Sequence, residues 1–216
     1  WGMTEMSPLG TTNFPTPEMD EMPDEEKYAL QVKAGRPVFG VEMKIVDDKG
    51  ATLPNDGVAY GRLLVRGPWI IKKYFKSEES AVDADNWFDT GDISSIDPDG
   101  YMAIVDREKD VIKSGGEWIS SIDLENVIAN HPDVLQTAVV GIPHPKWDER
   151  PLLFIVSNSG NEFDRSELDD LMLEKFEKWQ LPDDVVFLKE LPIGATGKVK
   201  KIDLRQEYTD HYMKEA

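Results

Sequence analysis

The sequence predicts an α+β fold in which a β-rich unit precedes a small unit of mixed helices and strands. Residues 38–46 and 57–65 are rich in β-forming side chains, and the Asp-first, Gly-last turn sequence at 47–50 between them is typical of antiparallel hairpins. Beyond residue 120, helical apolar patterns alternate with buried-strand patterns. A cationic, glycine-containing stretch at 106–120 separates the two patterns and marks a boundary.

The β-rich unit contains two further segments with a local signature. An acidic, proline-containing tract continues to Glu26, and its charge density predicts a surface loop. Residues 97–100, Asp-Pro-Asp-Gly, predict a type I turn between strands at 92–96 and 101–105. A calcium loop is the alternative, but its first ligand would be Ser95 and its last would be an Asp instead of a bidentate Glu, which favours the turn.

The mixed unit begins with a helix predicted over 122–130, because Ser120 and Asp123 form a capping box before an apolar helical face. Strands are predicted at 134–142, 152–156 and 185–188. A second helix, capped by Asp164, carries an apolar stripe and ends before Pro182. Core packing is the default interpretation of such a stripe, and a partner-binding face is the alternative. The stripe consists of Leu168, Leu171, Met172, Phe176 and Trp179.

Composition excludes several classes of function. The 216 residues include 42 acidic and 24 basic side chains, and the net charge of -18 disfavours nucleic acid and anionic membranes as partners. The chain has no apolar run of about 18 residues and no signal-peptide pattern, so membrane insertion is not expected. The absence of cysteine excludes disulfides and thiolate chemistry, and we expect a cytoplasmic protein.

Residues 106–120 concentrate three cationic side chains next to a glycine pair. A solvated linker is the ordinary explanation of a charged segment between two units. The apolar pair at 111–112 instead indicates packing, and the glycines at 115–116 allow the backbone to turn or to approach a ligand closely. A packed basic loop favours an anionic ligand.

Four short motifs carry polar groups suited to a nucleotide, and each has a simpler structural explanation. Trp1, Thr4 and Glu5 offer an aromatic face, a hydroxyl and a carboxylate, although a strand end would also account for them. Asp92 follows a glycine, as a carboxylate needs to do to reach both ribose hydroxyls, and an Asx turn is the alternative.

The other two motifs supply cations. Arg107 and Lys113 provide fixed charge, with surface ion pairs as the alternative. Residues 191–199 form a predicted flexible loop with two glycines that presents Lys198, for which a solvated lysine is the plain alternative.

Taken in order, these motifs resemble the adenylate-forming superfamily of acyl-CoA synthetases, peptide-synthetase adenylation domains and luciferases. The resemblance covers essentially the whole chain. It rests on residues 61–67 with 74–75, 87–92, 106–116 and 192–198. The Trp-Gly-Met-Thr-Glu opening and residues 112–120 are most similar to medium-chain fatty acyl-CoA ligases and to methylmercaptopropionyl-CoA ligases.

The resemblance implies a domain organisation and an activity. Residues 1–108 would be the distal part of an N-terminal adenylation domain, with a distorted barrel-like β subdomain, and 109–216 a mobile C-terminal α+β domain hinged at Lys109. The implied activity is that of an ATP-dependent carboxylic acid–CoA ligase acting on a short- or medium-chain acid such as methylmercaptopropionate. Loading of a carrier protein and non-catalytic nucleotide binding are the alternatives.

The resemblance also implies the partners. They are a small carboxylic acid, coenzyme A and a missing N-terminal portion of the same protein, and a homodimer is a further expectation. No Gly/Ser/Thr-rich phosphate loop occurs in the sequence, and the chain begins within a motif. We therefore expect the chain to be the C-terminal part of a longer enzyme and not to catalyse the full reaction alone.

Site roles follow from the resemblance residue by residue. Trp1 would flank the adenine, Thr4 would contact phosphate, and Asp92 and Arg107 would hold the ribose of ATP or AMP. Glu5 would hold Mg²⁺. The implied catalytic residues are Lys198, which would also contact the nucleotide, Glu5 and Lys113.

Coenzyme A would contact the hairpin-like loop after Lys113. The implied CoA-binding residues are Ser114, Gly115, Gly116, Glu117 and Trp118. Two positions depart from the pattern: Asp148 stands before Glu149 where many members have Gly, and Trp118 stands where some members have a basic residue.

Overall fold

The computed structural model of the protein describes residues 1–195 and 197–215, and the chain divides into two compact units. The first unit extends from Trp1 to Glu108, and the second begins at Lys109. Each β-sheet of the described residues lies within a single unit, and both units contain helices. The predicted α+β class is confirmed.

An antiparallel sheet forms the centre of the first unit. The strands of this unit are β1 (Thr11–Thr12), β2 (Arg36–Pro37), β3 (Glu42–Val46), β4 (Tyr60–Arg66), β5 (Phe88–Ile96) and β6 (Met102–Arg107). The main sheet has the order β3-β4-β5-β6, so each strand pairs with its neighbour in sequence, and β1 pairs separately with β2. In β4, Gly61, Leu63 and Val65 are buried and alternate with half-buried residues, as the period of two in a strand requires.

Both predicted turns of the first unit are confirmed. The N–H of Gly50 donates to the carbonyl of Asp47 at 3.0 Å, and the N–H of Gly100 donates to that of Asp97 at 2.9 Å. The Asp97 carboxylate accepts the N–H of Tyr101 at 2.9 Å and pairs with Lys33 at 2.6 Å. Its role is therefore to close the turn.

The acidic tract is not only a surface loop, and that prediction is wrong in part. It contains two helices, α1 (Pro17–Asp20) and α2 (Asp24–Gln31), and Met19 is 1% exposed. Three consecutive acidic residues fill the first turn of α2. Negative charge is favourable there because it faces the positive end of the helix dipole, so the charge density marks a helix start.

The second unit wraps helices around a mixed sheet. Its strands are β7 (Ile112–Ser114), β8 (Glu117–Ile119), β9 (Val134–His144), β10 (Asp148–Ser157) and β11 (Asp184–Phe187), and its helices are α3 (Ser121–Ile128), α4 (Arg165–Leu173) and α5 (Lys201–Glu207). The sheet has the order β11-β10-β7-β8, with β9 also paired to β10. Short 3₁₀ turns cover Lys178–Gln180 and Tyr212–Glu215 in this unit and Thr4–Met6 in the first unit.

Strand β10 lies in the middle of the second unit and is buried on both faces. Leu153 and Ile155 pack into one apolar cluster, which includes residues of α3 and α4. Leu152 and Phe154 pack into another, which includes Leu204 of α5. Burial on both faces explains why this strand is continuously apolar instead of alternating.

The N-terminal caps of two helices are confirmed. The Ser120 side chain accepts the N–H of Asp123 at 3.1 Å, and the Asp164 side chain accepts the N–H of Ser166 at 2.9 Å. The second helix, however, ends at Leu173, and Trp179 lies in the following 3₁₀ turn and is 44% exposed. Within the described residues, no helix has the length and apolar character needed to cross a membrane.

Candidate functional site

A buried carboxylate, Asp92, forms the centre of a polar cluster in the first unit, where it is 3% exposed. Arg107 Nε lies 2.9 Å from its Oδ1, and the indole Nε1 of Trp1 donates to its Oδ2 at 3.0 Å. Asp92 and Arg107 are register partners on β5 and β6, so strand pairing brings two separate motifs together. Each oxygen of the carboxylate is thereby held by one donor.

The residues before Asp92 shape the backbone that presents it. Gly91 has a φ of 68°, which favours glycine, and the register between β4 and β5 shifts at this point. The Thr90 hydroxyl accepts the N–H of Asp92 at 3.1 Å and donates to the carbonyl of Leu63 at 2.9 Å. The Asx turn considered as the alternative belongs to Asp89, whose carboxylate accepts the N–H of Gly91 at 3.1 Å.

The environment of Asp92 leaves it able to accept further hydrogen bonds. Burial raises the pKa of its carboxyl above the ordinary value, whereas Arg107 and the Trp1 indole N–H act in the opposite direction. An ionised carboxylate has about four lone-pair sites, of which two are used here. The remaining sites suit a ligand with two adjacent hydroxyls.

Thr4 and Glu5 lie in the 3₁₀ turn Thr4–Met6, and Thr4 is exposed. The Tyr74 hydroxyl donates to Oε1 of Glu5 at 3.0 Å, and burial and Glu5 both raise the pKa of Tyr74, which keeps its hydroxyl protonated. The described residues contain no group of three or more His, Cys, Asp or Glu side chains arranged to hold a metal. Glu5 is therefore a single carboxylate ligand at most, of the kind that binds Mg²⁺ together with substrate phosphates.

The stretch predicted to be a basic loop is a β-hairpin of β7 and β8. The glycines at its tip, Gly115 and Gly116, have φ values of 61° and 90°, as the predicted turn requires. Lys113 and Trp118 are register partners, with the Lys113 Nζ 5.6 Å from the centre of the indole ring. The loop prediction failed because strands of three residues are too short to show a period of two.

A cavity of about 300 Å³ adjoins this hairpin. Its lining is Ser114, Gly115, Glu117, Trp147, Arg150, Trp179 and Asp183. The N–H of Gly115 donates to the carbonyl of Trp147 at 2.8 Å, and a Cβ on Gly115 would lie 3.2 Å from the Trp147 ring. The close contact and the positive φ together explain the glycine at this position.

Lys198 is exposed in the segment that was predicted to be a flexible loop. The ends of that segment are paired through a bridge between Ile193 and Val199, and the N–H of Gly194 donates to the carbonyl of Lys198 at 2.8 Å. Thr196, which the predicted loop includes, lies outside the described residues. The described part is a closed turn.

A partly buried cation, Lys201, connects the residues after Lys198 to helix α3. Lys201 Nζ lies 2.7 Å from Oε1 of Glu125 and donates to the Ser121 hydroxyl at 2.7 Å. The Lys201 side chain is 14% exposed, so solvent screens this pair less than a surface pair. The start of α5, and with it the Lys198 turn, is fixed within the second unit.

Lys109 lies in a turn and is exposed. On its N-terminal side, the N–H of Glu108 donates to the carbonyl of Gly91 at 3.0 Å within the first unit. On its C-terminal side, Arg205 Nη2 donates to Oδ1 of Asp110 at 3.2 Å within the second unit. The residues on either side of Lys109 are therefore anchored, each in its own unit.

Comparison with known proteins gives the family. The sequence profile of AMP-binding enzymes matches residues 1–75, and that of the AMP-binding enzyme C-terminal domain matches residues 123–198. Over 97% of its length the chain is 54% identical to 3-methylmercaptopropionyl-CoA ligase from Ruegeria lacuscaerulensis. The chain belongs to the AMP-binding enzyme family. The resemblance to adenylate-forming enzymes seen in the motifs is confirmed.

Other members of the AMP-binding enzyme family show the extent of the match. The chain is 47% identical over 97% of its length to medium-chain-fatty-acid–CoA ligase from Ectopseudomonas oleovorans. It spans 39% of the length of the Ruegeria lacuscaerulensis enzyme and 38% of that of the Ectopseudomonas oleovorans enzyme.

Solved structures of AMP-binding enzymes are similar over the same span. ATP-bound MatB from Rhodopseudomonas palustris is 30% identical with a TM-score of 0.79, and the match covers 98% of this chain and 40% of that one. The o-succinylbenzoate CoA synthetase from Bacillus subtilis, solved with its acyl-adenylate, is 31% identical with a TM-score of 0.74, covering 85% and 37%.

Asp148, one of the two positions expected to depart from the family motifs, has a φ of 72°. This left-handed region is one that glycine adopts at little cost, and Asp is among the side chains that tolerate it. Asp148 begins β10 and is the register partner of Ser114 in β7. The left-handed backbone at Asp148 therefore lies next to Ser114, which lines the cavity.

The structure brings some of the predicted family site residues together and leaves others apart. Trp1, Asp92 and Arg107 form one cluster, whereas Glu5 contacts Tyr74. Of the predicted CoA-binding residues, Ser114, Gly115 and Glu117 line the cavity, and Gly116 and Trp118 are not part of its lining.

Four residues that line the cavity were not predicted from the sequence: Trp147, Arg150, Trp179 and Asp183. Trp147 follows a turn with two prolines, and Trp179 was assigned to a helical core stripe. Arg150 is the third residue of β10, just before its apolar part at 151–156. A charged side chain at the start of a buried strand is the signal that was available, because burial of Arg requires partners.

Proposed function

We propose that this chain forms part of an ATP-dependent carboxylic acid–CoA ligase. In this proposal residues 1–108 are the distal part of the adenylation domain and 109–216 the mobile C-terminal domain. The observation that carries it is the buried Asp92 carboxylate, oriented by Trp1 and Arg107 in a chain 54% identical over 97% of its length to such a ligase.

In the first half-reaction, a carboxylate oxygen of the acid attacks the α-phosphorus of ATP. The bond from that phosphorus to the bridging oxygen breaks, and pyrophosphate leaves with the bonding electrons. Asp92 accepts hydrogen bonds from the ribose hydroxyls beside Arg107, the Trp1 ring flanks the adenine, and the Thr4 hydroxyl donates to a phosphate oxygen. The Lys198 ammonium stabilises the negative charge that accumulates around the α-phosphate.

Mg²⁺ is part of the proposal, with Glu5 as its protein ligand. The Tyr74 hydroxyl donates to Oε1 of Glu5, and this single carboxylate would hold the ion together with substrate phosphates. When bound, the ion supplies charge neutralisation of the phosphates. The Tyr74 hydrogen bond orients the carboxylate.

In the second half-reaction, the sulfur of coenzyme A attacks the acyl carbon of the acyl-adenylate. The bond from that carbon to the phosphate oxygen breaks, AMP leaves with the bonding electrons, and the thiol proton passes to solvent. The β7–β8 hairpin lines the path of the thiol, with Lys113 on its first strand and residues 114–118 following. The indole rings of Trp147 and Trp179 line the adjoining cavity and offer apolar faces to a planar group.

Lys109 serves as the hinge between the two half-reactions in this proposal. The hydrogen bonds of Glu108 and Asp110 fix its neighbours within their own units, so Lys109 is the position left to absorb a change in φ and ψ. The Lys198 turn is closed at its base and anchored through Lys201. This anchoring favours a mechanism in which the whole second unit moves to bring Lys198 to the α-phosphate, and it disfavours flexing of the loop alone.

The proposed acids are short- or medium-chain, such as 3-methylmercaptopropionate, because the relatives named for acids of these classes are 54% and 47% identical. The test is acyl transfer from a supplied acyl-adenylate to coenzyme A or to a carrier protein, in a ligase of the relatives' length that contains this chain. We expect the thioester to form with coenzyme A. Transfer to the carrier alone would favour a carrier-loading enzyme.

Replacing Trp1 with phenylalanine should weaken AMP binding by about tenfold, the usual cost of losing one hydrogen bond to a charged group. The variant keeps an aromatic ring but removes the indole N–H that holds Oδ2 of Asp92 at 3.0 Å. Isothermal titration of AMP into the same ligase measures the change.

The matched control for this variant is Trp69→Phe. It removes an indole N–H of the same unit, which donates to the carbonyl of Leu9 at 3.2 Å instead of to Asp92. AMP affinity should stay within about twofold of wild type in the control. Equal weakening in both variants would mean that Trp1 does not act through Asp92.

A further inference from the structure

Arg150 is a buried cation of the second unit that the proposed reaction does not use. It lies on β10, is 7% exposed and lines the cavity beside the β7–β8 hairpin. Its Nε and Nη2 donate to the two carboxylate oxygens of Asp183 at 2.8 and 2.6 Å. This bidentate pair neutralises the guanidinium charge where it is formed.

The rest of the guanidinium is also engaged within the protein. Nη1 donates to the Ser114 hydroxyl at 3.0 Å and to the carbonyl of Trp179 at 2.7 Å, and Nη2 donates to the carbonyl of Leu181 at 3.0 Å. A guanidinium has five N–H donors, and Arg150 makes five hydrogen bonds. No donor remains to bind a phosphate, so Arg150 is not an anion ligand.

The partners of Arg150 lie on separate walls of the cavity. Ser114 ends β7 and immediately precedes the glycine turn of the hairpin, whereas Trp179 belongs to the 3₁₀ turn Lys178–Gln180. Asp183 stands just before β11. The planar guanidinium of Arg150 therefore connects the hairpin to the segment that contains Trp179 and Asp183. Its fixed fork geometry sets the distance between the hairpin and that segment.

We propose that Arg150 is a positioning residue for the thioester half-reaction. It fixes the position of the Ser114–Gly115 turn relative to the 3₁₀ turn that contains Trp179, so that the cavity keeps the shape that accepts coenzyme A. This inference rests on the proposed ligase function. It assigns Arg150 no contact with substrate and no part in adenylation.

The test variant is Arg150→Lys in a ligase of the relatives' length that contains this chain. Lysine keeps the positive charge but has three donors and no planar fork, so it cannot hold Asp183, Ser114 and Trp179 together. We expect the KM for coenzyme A in the thioester step to rise about tenfold or more, because a small displacement of the groups that position a substrate has a large effect. Pyrophosphate release in the first half-reaction, and kcat at saturating coenzyme A, should stay within about twofold of wild type.

Arg165→Lys is the matched control. Arg165 donates to the carbonyls of Asp183 at 2.6 Å and Pro182 at 2.5 Å, so it supports the same segment from another side, and its hydrogen-bond partners do not include Ser114. The control should leave the KM for coenzyme A within about twofold of wild type. Thermal unfolding of each variant shows whether it folds.

Asp183→Asn is a second variant, which keeps the proposal testable if Arg150→Lys fails to fold. It keeps the size of the side chain but replaces one of the two carboxylate oxygens that hold the Arg150 fork with an amide nitrogen, and it leaves Ser114 unchanged. We expect it to raise the KM for coenzyme A by a smaller factor, again without slowing pyrophosphate release.

Three results would overturn the inference: a wild-type KM for coenzyme A in the folded Arg150 variant or in folded Asp183→Asn, an equal rise in the Arg165 control, or a parallel fall in pyrophosphate release. Failure of the proposed function is seen separately. In that case the wild-type ligase forms no acyl-CoA from a supplied acyl-adenylate and coenzyme A, whatever residue stands at 150.

Discussion

Replacing Lys198 with alanine should slow acyl-adenylate formation by at least about 10²–10³-fold, the loss typical of one transition-state donor. Lys198 is exposed at the end of a closed turn, and the turn is anchored through the partly buried Lys201–Glu125 pair. The variant thus removes a positioned charge without disturbing its support. Pyrophosphate release in a single turnover, measured in a ligase of the relatives' length, gives the rate.

The thioester step should survive the same substitution, because the attack of sulfur on a preformed acyl-adenylate does not need a cation at the α-phosphate. Lys200→Ala is the control, since Lys200 belongs to the same segment but pairs with Asp203 at 3.3 Å on the surface. It should leave both half-reactions within about twofold of wild type. Equal loss of both half-reactions in the Lys198 variant would contradict its assignment to adenylation.

Replacing Lys109 with proline should change the ratio of the two half-reaction rates by about 10²-fold, because misplacement of reacting groups by a small distance slows a reaction by about that factor. Proline fixes φ near -65° and removes the backbone donor, so a hinge at this position would be held in one orientation. The flanking anchors of Glu108 and Asp110 leave no neighbour to compensate. The measurement compares single-turnover pyrophosphate release with acyl-CoA formation from supplied acyl-adenylate.

Lys109→Ala separates the backbone effect from the loss of the side chain. Alanine keeps φ and ψ free and removes only an exposed ammonium, so the ratio should stay within about twofold of wild type. A proline variant that keeps the wild-type ratio would show that the pivot lies elsewhere or that no rotation is needed.

Local chemistry made much of the fold predictable. The turns that begin at Asp47 and Asp97 and the helix cap at Ser120 each depend on residues within four positions, and each is present in the structure. The acidic tract was predicted only in part, because the same residues that favour a loop also favour the first turn of a helix, as they do in α2.

The candidate sites were less predictable because their contacts span long sequence separations. The motifs pointed to Asp92 and Arg107, but nothing local shows that Trp1, 91 residues away, donates to the Asp92 carboxylate. Arg150 was missed for the same reason, since Ser114 lies 36 residues before it. Trp179 kept the helical spacing of a core stripe although the helix had already ended, and only the tertiary fold turns it toward the cavity.

The most direct measurement is acid-dependent pyrophosphate release by a ligase of the relatives' length that contains this chain, screened over short-chain, medium-chain and aromatic acids with ATP and Mg²⁺. We expect pyrophosphate release with at least one short- or medium-chain acid, such as 3-methylmercaptopropionate, and conversion of the acid to its CoA thioester when coenzyme A is added. Pyrophosphate release that no carboxylic acid stimulates would contradict it and would favour a nucleotide-binding protein without ligase activity.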